Sequence, residues 1–415
     1  MRREEIRALG ELAGEAAAGI AGQVRDVHAG VAQRVFGSLR VLGAATEPVR
    51  LIHDGVSTGA YAAACTLTGA VVRGGAAAFS LTRTDDNPSI SDSVPGRMAV
   101  GAINGMWGDR LNGRRSVLET PMAIRCGGCV VPLTPDSLAR AFPDATRKIA
   151  VFAHGLCETD DAWRLGADRN VPYGDRLRAE LGYTPVYIRY NSGLHISVNG
   201  RALARLLDAL TAVWPVEIAE IALIGHSMGG LVSRGACHYA ADGSWRDRVR
   251  HVVSLGAPHK GAPLELAANA ACHAASRLPE TRPFATPIKV RAPGVKDLGY
   301  GYVVDEDWKG HDADAFWTNT GTEVPFLESA NHYFVSATLS RDSEAPLGRL
   351  IGDLLVLRRS AWSQQGRGQR LQFPVDRYTH VGGANHFDLL NHPAVYAQIR
   401  KWLGERRELP APAAA

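Results

Sequence analysis

The rhythm of apolar and polar positions changes near residue 125. Before it, residues 1 to about 83 are rich in Ala and Gly and nearly free of Pro. Val31, Val35, Leu39 and Leu42 fall at patchy helical spacing, which predicts loosely packed helices. Turn formers gather at Asp85-Asp86-Asn87-Pro88 and again at Pro95-Gly96, marking a linker or exposed loop, and a short helix is expected at about 97–112. From about Arg125 onward, β-rich runs alternate with helical ones, as when parallel strands are joined by crossover helices. Strands are predicted at 149–153, 185–190, 218–224, 251–255 and 332–337. Their Val/Ile content with little polar alternation fits strands covered on both faces. Helices are predicted at 202–213 and 229–239. Val395, Ile399, Trp402 and Leu403 mark the core face of a closing helix, with Pro393 in its first turn. Between residues 263 and 331 the alternation fails, which predicts a lid or substrate-binding insertion.

A chain of 415 residues, 46% hydrophobic and 21% charged, can bury a large core in one main domain with an appendage. The expected division is an Ala/Gly-rich helical region over 1–115 and an α/β domain over 116–408, with 263–331 as its lid or cap. A formal charge of +4, from 46 Lys and Arg against 42 Asp and Glu, is too small and dispersed for a nucleic-acid footprint. The start, Met1-Arg2-Arg3-Glu4-Glu5, is charged and no signal-peptide pattern follows, so a cytoplasmic protein is expected. Residues 55–72 are uncharged between Asp54 and Arg73. They consist largely of Ala, Gly, Ser and Thr, weak material for a bilayer span, so the N-terminal helices are at most candidates for peripheral membrane contact. Of the six cysteines (Cys65, Cys126, Cys129, Cys157, Cys237 and Cys272), only Cys126-Gly127-Gly128-Cys129 forms a close pair. No second pair completes a metal site, and the thiols read as structural or incidental.

The chemistry concentrates in Gly225-His226-Ser227-Met228-Gly229-Gly230, a G-x-S-x-G element between an apolar run and a helical pattern. That is the setting of a nucleophile elbow, in which Ser227 projects from a tight strand-to-helix turn and flanking glycines let backbones approach. Phe152-Ala153-His154-Gly155-Leu156 ends another predicted strand. The backbone N–H groups of Leu156 and Met228 are the expected oxyanion donors, and His154, Gly155 and His226 are expected to line the substrate site. A serine hydroxyl needs a general base, and histidine has the suitable pKa. Among fourteen histidines, His386, on a loop before the closing helix, fits the chain order nucleophile, acid, base. His380 and His392 are nearby rivals. The acid should follow the strand at 332–337, with Asp353 as the choice and Asp342, closer to the strand end, as the main alternative. The stretch 189–195 either lines the pocket or caps the next helix.

These motifs resemble the lipase and GPI inositol-deacylase-like branch of the α/β-hydrolase superfamily over about 120–405. Besides the His-Gly and Gly-His-Ser-Met-Gly elements, Gly256-Ala257-Pro258-His259-Lys260-Gly261 is similar to the group's Gly-(Thr/Ala)-Pro-His-x-Gly turn. Gly352-Asp353-Leu354-Leu355-Val356 is similar to its Gly-Asp-Gly-Leu-Val acid loop, with Leu354 in place of a glycine. The resemblance implies an α/β-hydrolase fold, a mostly parallel doubly wound sheet. It also implies hydrolysis of lipid-like or acyl esters through an acyl-serine intermediate, with no cofactor. Some lipases of the group bind a structural calcium, for which this sequence offers no ligand cluster. The same triad would serve an acyltransferase or thioesterase, and a non-catalytic binding protein could retain the fold.

Overall fold

A computed structural model of the chain describes residues 1–39, 47–241, 244–262, 291–311, 320–338 and 377–405. The described residues fall into two compact units. Of the described residues, one comprises 1–96, 113–118 and Arg291, and the other 97–112, 119–262 and those from 292 onward.

In the first unit, α1 (Arg3–Leu39) and α2 (Glu47–Ser80) pack against each other through small residues. A Cβ on Gly10 would sit 2.2 Å from Ala76 Cβ, and one on Gly14 would meet the Gly69 carbonyl at 3.0 Å, so larger side chains would force the helices apart. Ile20, Val24, Val31 and Val35 of α1 and Leu51, Val56, Leu67 and Val71 of α2 are 47–67% exposed. Within α2, residues His53–Ser80 are long and apolar enough by length and composition to cross a membrane. Glu5 receives Ser89 Oγ and the Ile90 amide, pinning the start of α1 to a single 3-10 turn at Ile90–Asp92.

The second unit is organised by an eight-stranded sheet in the order β2-β1-β4-β3-β5-β6-β7-β8. Its strands are β1 (Ala123–Cys126), β2 (Cys129–Val130), β3 (Lys148–Ala153), β4 (Tyr183–Arg189), β5 (Glu220–His226), β6 (Val249–Leu255), β7 (Asn331–Thr338) and β8 (Tyr378–Gly382). From β4 to β8 every pairing is parallel, and β1 runs antiparallel to both β2 and β4. The period of two splits the apolar residues cleanly. Ile149 and Val151 of β3 and Ile221 and Leu223 of β5 belong to one core cluster, whereas Ala150, Phe152, Ala222 and Ile224 belong to the other. The first cluster is covered by α6 (Ile196–Val213) and α7 (Met228–Tyr239), and the second by α5 (Tyr173–Leu181) and α9 (Pro393–Gly404). The remaining helices are α3 (Val94–Gly113), α4 (Pro135–Ala141) and α8 (Pro293–Tyr300). Each fully buried Leu or Ile contributes roughly 1.5–3 kcal/mol to this two-sided core.

All five strands and all the helices expected from the sequence are present. The α6 helix begins at Ile196, earlier than its apolar spacing suggests, because the buried Asp297 carboxylate accepts the Ile196 amide at 2.8 Å and caps the helix from a distance. The β1–β2 hairpin, α4, α5 and α8 were not foreseen. The chain runs from β3 outward to β4, then returns to β5 on the other side of β3. Open α/β sheets bind ligands at such a reversal, beyond the carboxyl ends of the flanking strands, here β3 and β5.

Candidate active site

Ser227 stands at the carboxyl end of β5, immediately before α7, with φ 50° and ψ −121°. A non-glycine residue in that conformation costs on the order of 1–3 kcal/mol. The surroundings hold it there. Its amide donates to the Leu255 carbonyl at 2.8 Å, and backbones crowd the turn. A Cβ on Gly225 would lie 2.4 Å from the Gly229 carbonyl carbon, and one on Gly229 would lie 2.2 Å from the Ala153 oxygen. Only glycine fits at either place, so the motif's glycines bring α7 directly against the end of β3. Ser227 is 8% exposed.

The loop after β3 reverses at Cys157, a second non-glycine residue with positive φ (61°), whose amide donates to Ser192 Oγ at 3.1 Å. Leu156 precedes that reversal. Among the described residues neither the Leu156 nor the Met228 amide meets an acceptor, the latter because it lies in the first turn of α7. Both amides are therefore without an acceptor among the described residues, one directly after Ser227 and one in the loop after β3.

Glu158 ties these parts together and was not singled out from the sequence. Its buried carboxylate accepts the Gly155 amide at 2.7 Å and His226 Nδ1 at 2.9 Å. Burial alone would raise this carboxyl's pKa, but His226 and the amide outweigh it and hold it below the ordinary value. His226 Nε2 in turn faces the His386 carbonyl at 3.1 Å. Both ring nitrogens of His226 face oxygen atoms, one of the Glu158 carboxylate and one of the His386 carbonyl. One buried pair thus joins the loop after β3, the elbow and the segment carrying His386.

His386 opens a 3-10 turn, His386–Leu390, behind an Asn385 side chain that accepts the Phe387 and Asp388 amides. The Ala384 amide donates to the Thr338 carbonyl, fastening this loop to the end of β7. The His386 ring is 2% exposed, lies 4.6 Å centroid to centroid from His226, and packs on Gly256, where a Cβ would come within 2.9 Å of its Cε1. Gly256 follows Leu255, the residue that receives the Ser227 amide, so His386 and Ser227 are brought to the same edge of the sheet. The rivals are engaged elsewhere. His380 lies in β8 against Ser336 and Thr338, and His392 caps α9 by accepting the Ala394 amide. Asp353 and Asp342 lie outside the described residues.

Two of the residues expected to line the substrate site are deeply buried. His154 and His226 are both 0% exposed. His154 Nδ1 faces the Gly155 carbonyl at 2.8 Å, its Nε2 receives the Tyr190 amide at 3.2 Å, and the Tyr190 ring stacks on it. Burial depresses its pKa and keeps the ring neutral. Both histidine rings are thus engaged by neighbouring loop groups, and a histidine beside a motif glycine does not reveal those partners in sequence. The stretch 189–195 follows the same pattern. Arg189 binds Asp160 and Asp161, Ser192 accepts the Cys157 amide, and Asn191 donates to Gly108, so this polar turn braces the loop after β3. At its end His195 bonds Asp297 and stacks on Trp308 at 3.7 Å. Among the described residues no cluster of three or more His, Cys, Asp or Glu side chains is arranged to hold a metal ion.

The sheet order, the strained serine and the loop after β3 define an α/β-hydrolase fold. Comparison with known proteins extends this: a PGAP1-like alpha/beta domain model matches residues 198–275. A triacylglycerol lipase from Burkholderia plantarii is 28% identical over 142 residues, covering 32% of this chain and 36% of the lipase. The match thus spans little more than a third of that relative's length. Among solved structures, the mature Bacillus licheniformis lipase BlEst2 aligns with TM-score 0.38 and 17% identity over 61% of this chain and 91% of that one. A thermophilic esterase from Thermogutta terrifontis aligns with TM-score 0.33 and 14% identity over 63% and 90%. The chain is similar to the lipase and PGAP1-like branch of the α/β-hydrolases.

Proposed function

We propose that this protein is a serine hydrolase that cleaves carboxylic esters of lipid-like or acyl type. Ser227 Oγ attacks the acyl carbonyl while His386 accepts its proton, and the Leu156 and Met228 amides bind the oxygen as it becomes an oxyanion. His386 then protonates the departing alcohol. A water molecule, deprotonated by the same ring, releases the acid from the acyl-serine. Asp353 orients His386 and stabilises its charged form. Each preorganised amide is worth ~3 kcal/mol in the transition state. No step calls on a cofactor.

The observation that carries this reading is Ser227 held at φ 50° at the end of β5, together with Leu156 and Met228 amides that lack acceptors among the described residues. The triacylglycerol lipase similarity supports an ester substrate. Ser227→Ala should abolish hydrolysis of a short p-nitrophenyl ester, and a fluorophosphonate probe should label the parent chain but not the variant. Full turnover by Ser227→Ala would sink the proposal.

We further propose a cytoplasmic protein whose N-terminal helices touch lipid surfaces peripherally. Exposed Leu67 and Val71 lie one turn apart on α2, within a stretch free of charge from residue 55 to 72. The full chain should co-float with phosphatidylcholine vesicles, and Leu67→Glu with Val71→Glu should reduce the floated fraction several-fold. Equal flotation of both proteins would refute the contact.

A further inference from the structure

We propose that Cys126 and Cys129 are a thiol–disulfide exchange site, closing reversibly into a disulfide across the β1–β2 hairpin. The two residues are direct partners in the antiparallel register. Between them Gly127 and Gly128 have φ of 57° and 82°, the pattern of a two-residue turn whose twist matches its strands. The turn is held from both sides. Arg125 donates to the Gly128 carbonyl at 2.5 Å, and a Cβ on Gly128 would fall 2.9 Å from the Arg97 guanidinium.

Directly opposed residues project from the same face of a hairpin, with Cα atoms about 4.5–5.5 Å apart. A disulfide spans Cα separations of about 4.4–6.8 Å, so side-chain rotation with slight closure joins the sulfurs. Both residues are exposed and both thiols are free. In contrast, burial pushes Cys157 up to about 11 and Cys237 up to about 12, which leaves those thiols inert. A ring enclosing only two further residues removes little entropy from the unfolded chain, so this bond is no structural staple. Exposed disulfides of that kind are the labile ones. A metal would need further ligands, and none gathers here among the described residues.

The oxidant is a low-molecular-weight disulfide. One cysteine thiolate attacks it, expels a thiolate and forms a mixed disulfide. The second cysteine thiolate attacks the protein sulfur and expels the other half. Two electrons and two protons pass from the hairpin to the oxidant, which leaves as two thiols.

Arg125 and Arg140 flank a single tryptic peptide, residues 126–140, that contains both cysteines. After the full chain is equilibrated with oxidised glutathione and alkylated, this peptide should be lighter by two hydrogens and unalkylated, and dithiothreitol should restore both alkylation sites. Cys126→Ser should instead retain glutathione on Cys129, and Cys129→Ser should retain it on Cys126. Accumulation of glutathione on both cysteines of the parent chain, or full alkylation of both in oxidised glutathione, would overturn the proposal.

Discussion

Glu158 bears its charge at a place water hardly reaches, held by a ring on one side and an amide on the other. Glu158→Gln keeps the shape but leaves the His226 ring without its charged acceptor. Breaking one half of a buried pair costs about 3–5 kcal/mol, so the variant should melt earlier. If Glu158 positions the catalytic groups as well, kcat should fall on the order of 10–100-fold with KM nearly unchanged, because a small misplacement of the reacting groups costs about that much. Ester kinetics beside a thermal melt separate the two effects, and a variant that is merely less stable would keep its kcat at low temperature. In sequence Glu158 is one acid in the run Glu158-Thr159-Asp160-Asp161. Its partner lies 68 positions away, and no local pattern points to it. The strand-to-helix turn at Ser227 was legible because its demands are local: a strand before it, a helix after it and glycines where backbones touch.

At the level of elements, the loop after β3 is anchored by charges. Asp161 takes both Arg97 and Arg189, and Asp160 takes Arg189, all at most 12% exposed in their side chains. Asp161→Ala would leave two guanidinium groups short of a partner and should cost about 3–5 kcal/mol, read as a lower urea midpoint. A loss under 1 kcal/mol would show that the anchor is dispensable. The same scale explains which elements the sequence disclosed. Strands β3 to β7 are buried on both faces and announce themselves as Val/Ile runs. The two-residue β2 and the edge strand β8, with its intermediate burial and a polar Tyr-Thr-His start, carry no such run. Helix α5 begins with Pro172 as its cap and no side-chain cap hydrogen bond, so its start is fixed by packing against β4 rather than by a local capping motif.

Across the whole sheet domain, buried histidines tie stability to pH. His154, His259 and His332 are sealed in the core, and burial lowers each pKa, that of His332 to about 4. Between about 4 and the ordinary value of 6.5, the unfolded chain binds protons that the folded chain refuses. Stability is therefore full above pH 6.5 and declines as the pH falls toward 4, by about 3 kcal/mol for His332 alone. Urea midpoints at pH 7 and pH 5 should show the decline, and equal midpoints would contradict it. The two candidate oxyanion donors add a last point. Leu156 is followed by Cys157 and Met228 is preceded by Ser227, and each of those neighbours holds a backbone shape that an L-residue rarely takes. The energy needed for both bends is spent when the domain first folds. A tetrahedral adduct would then meet partners already aimed at it, and substrate affinity would not be drawn down to assemble them.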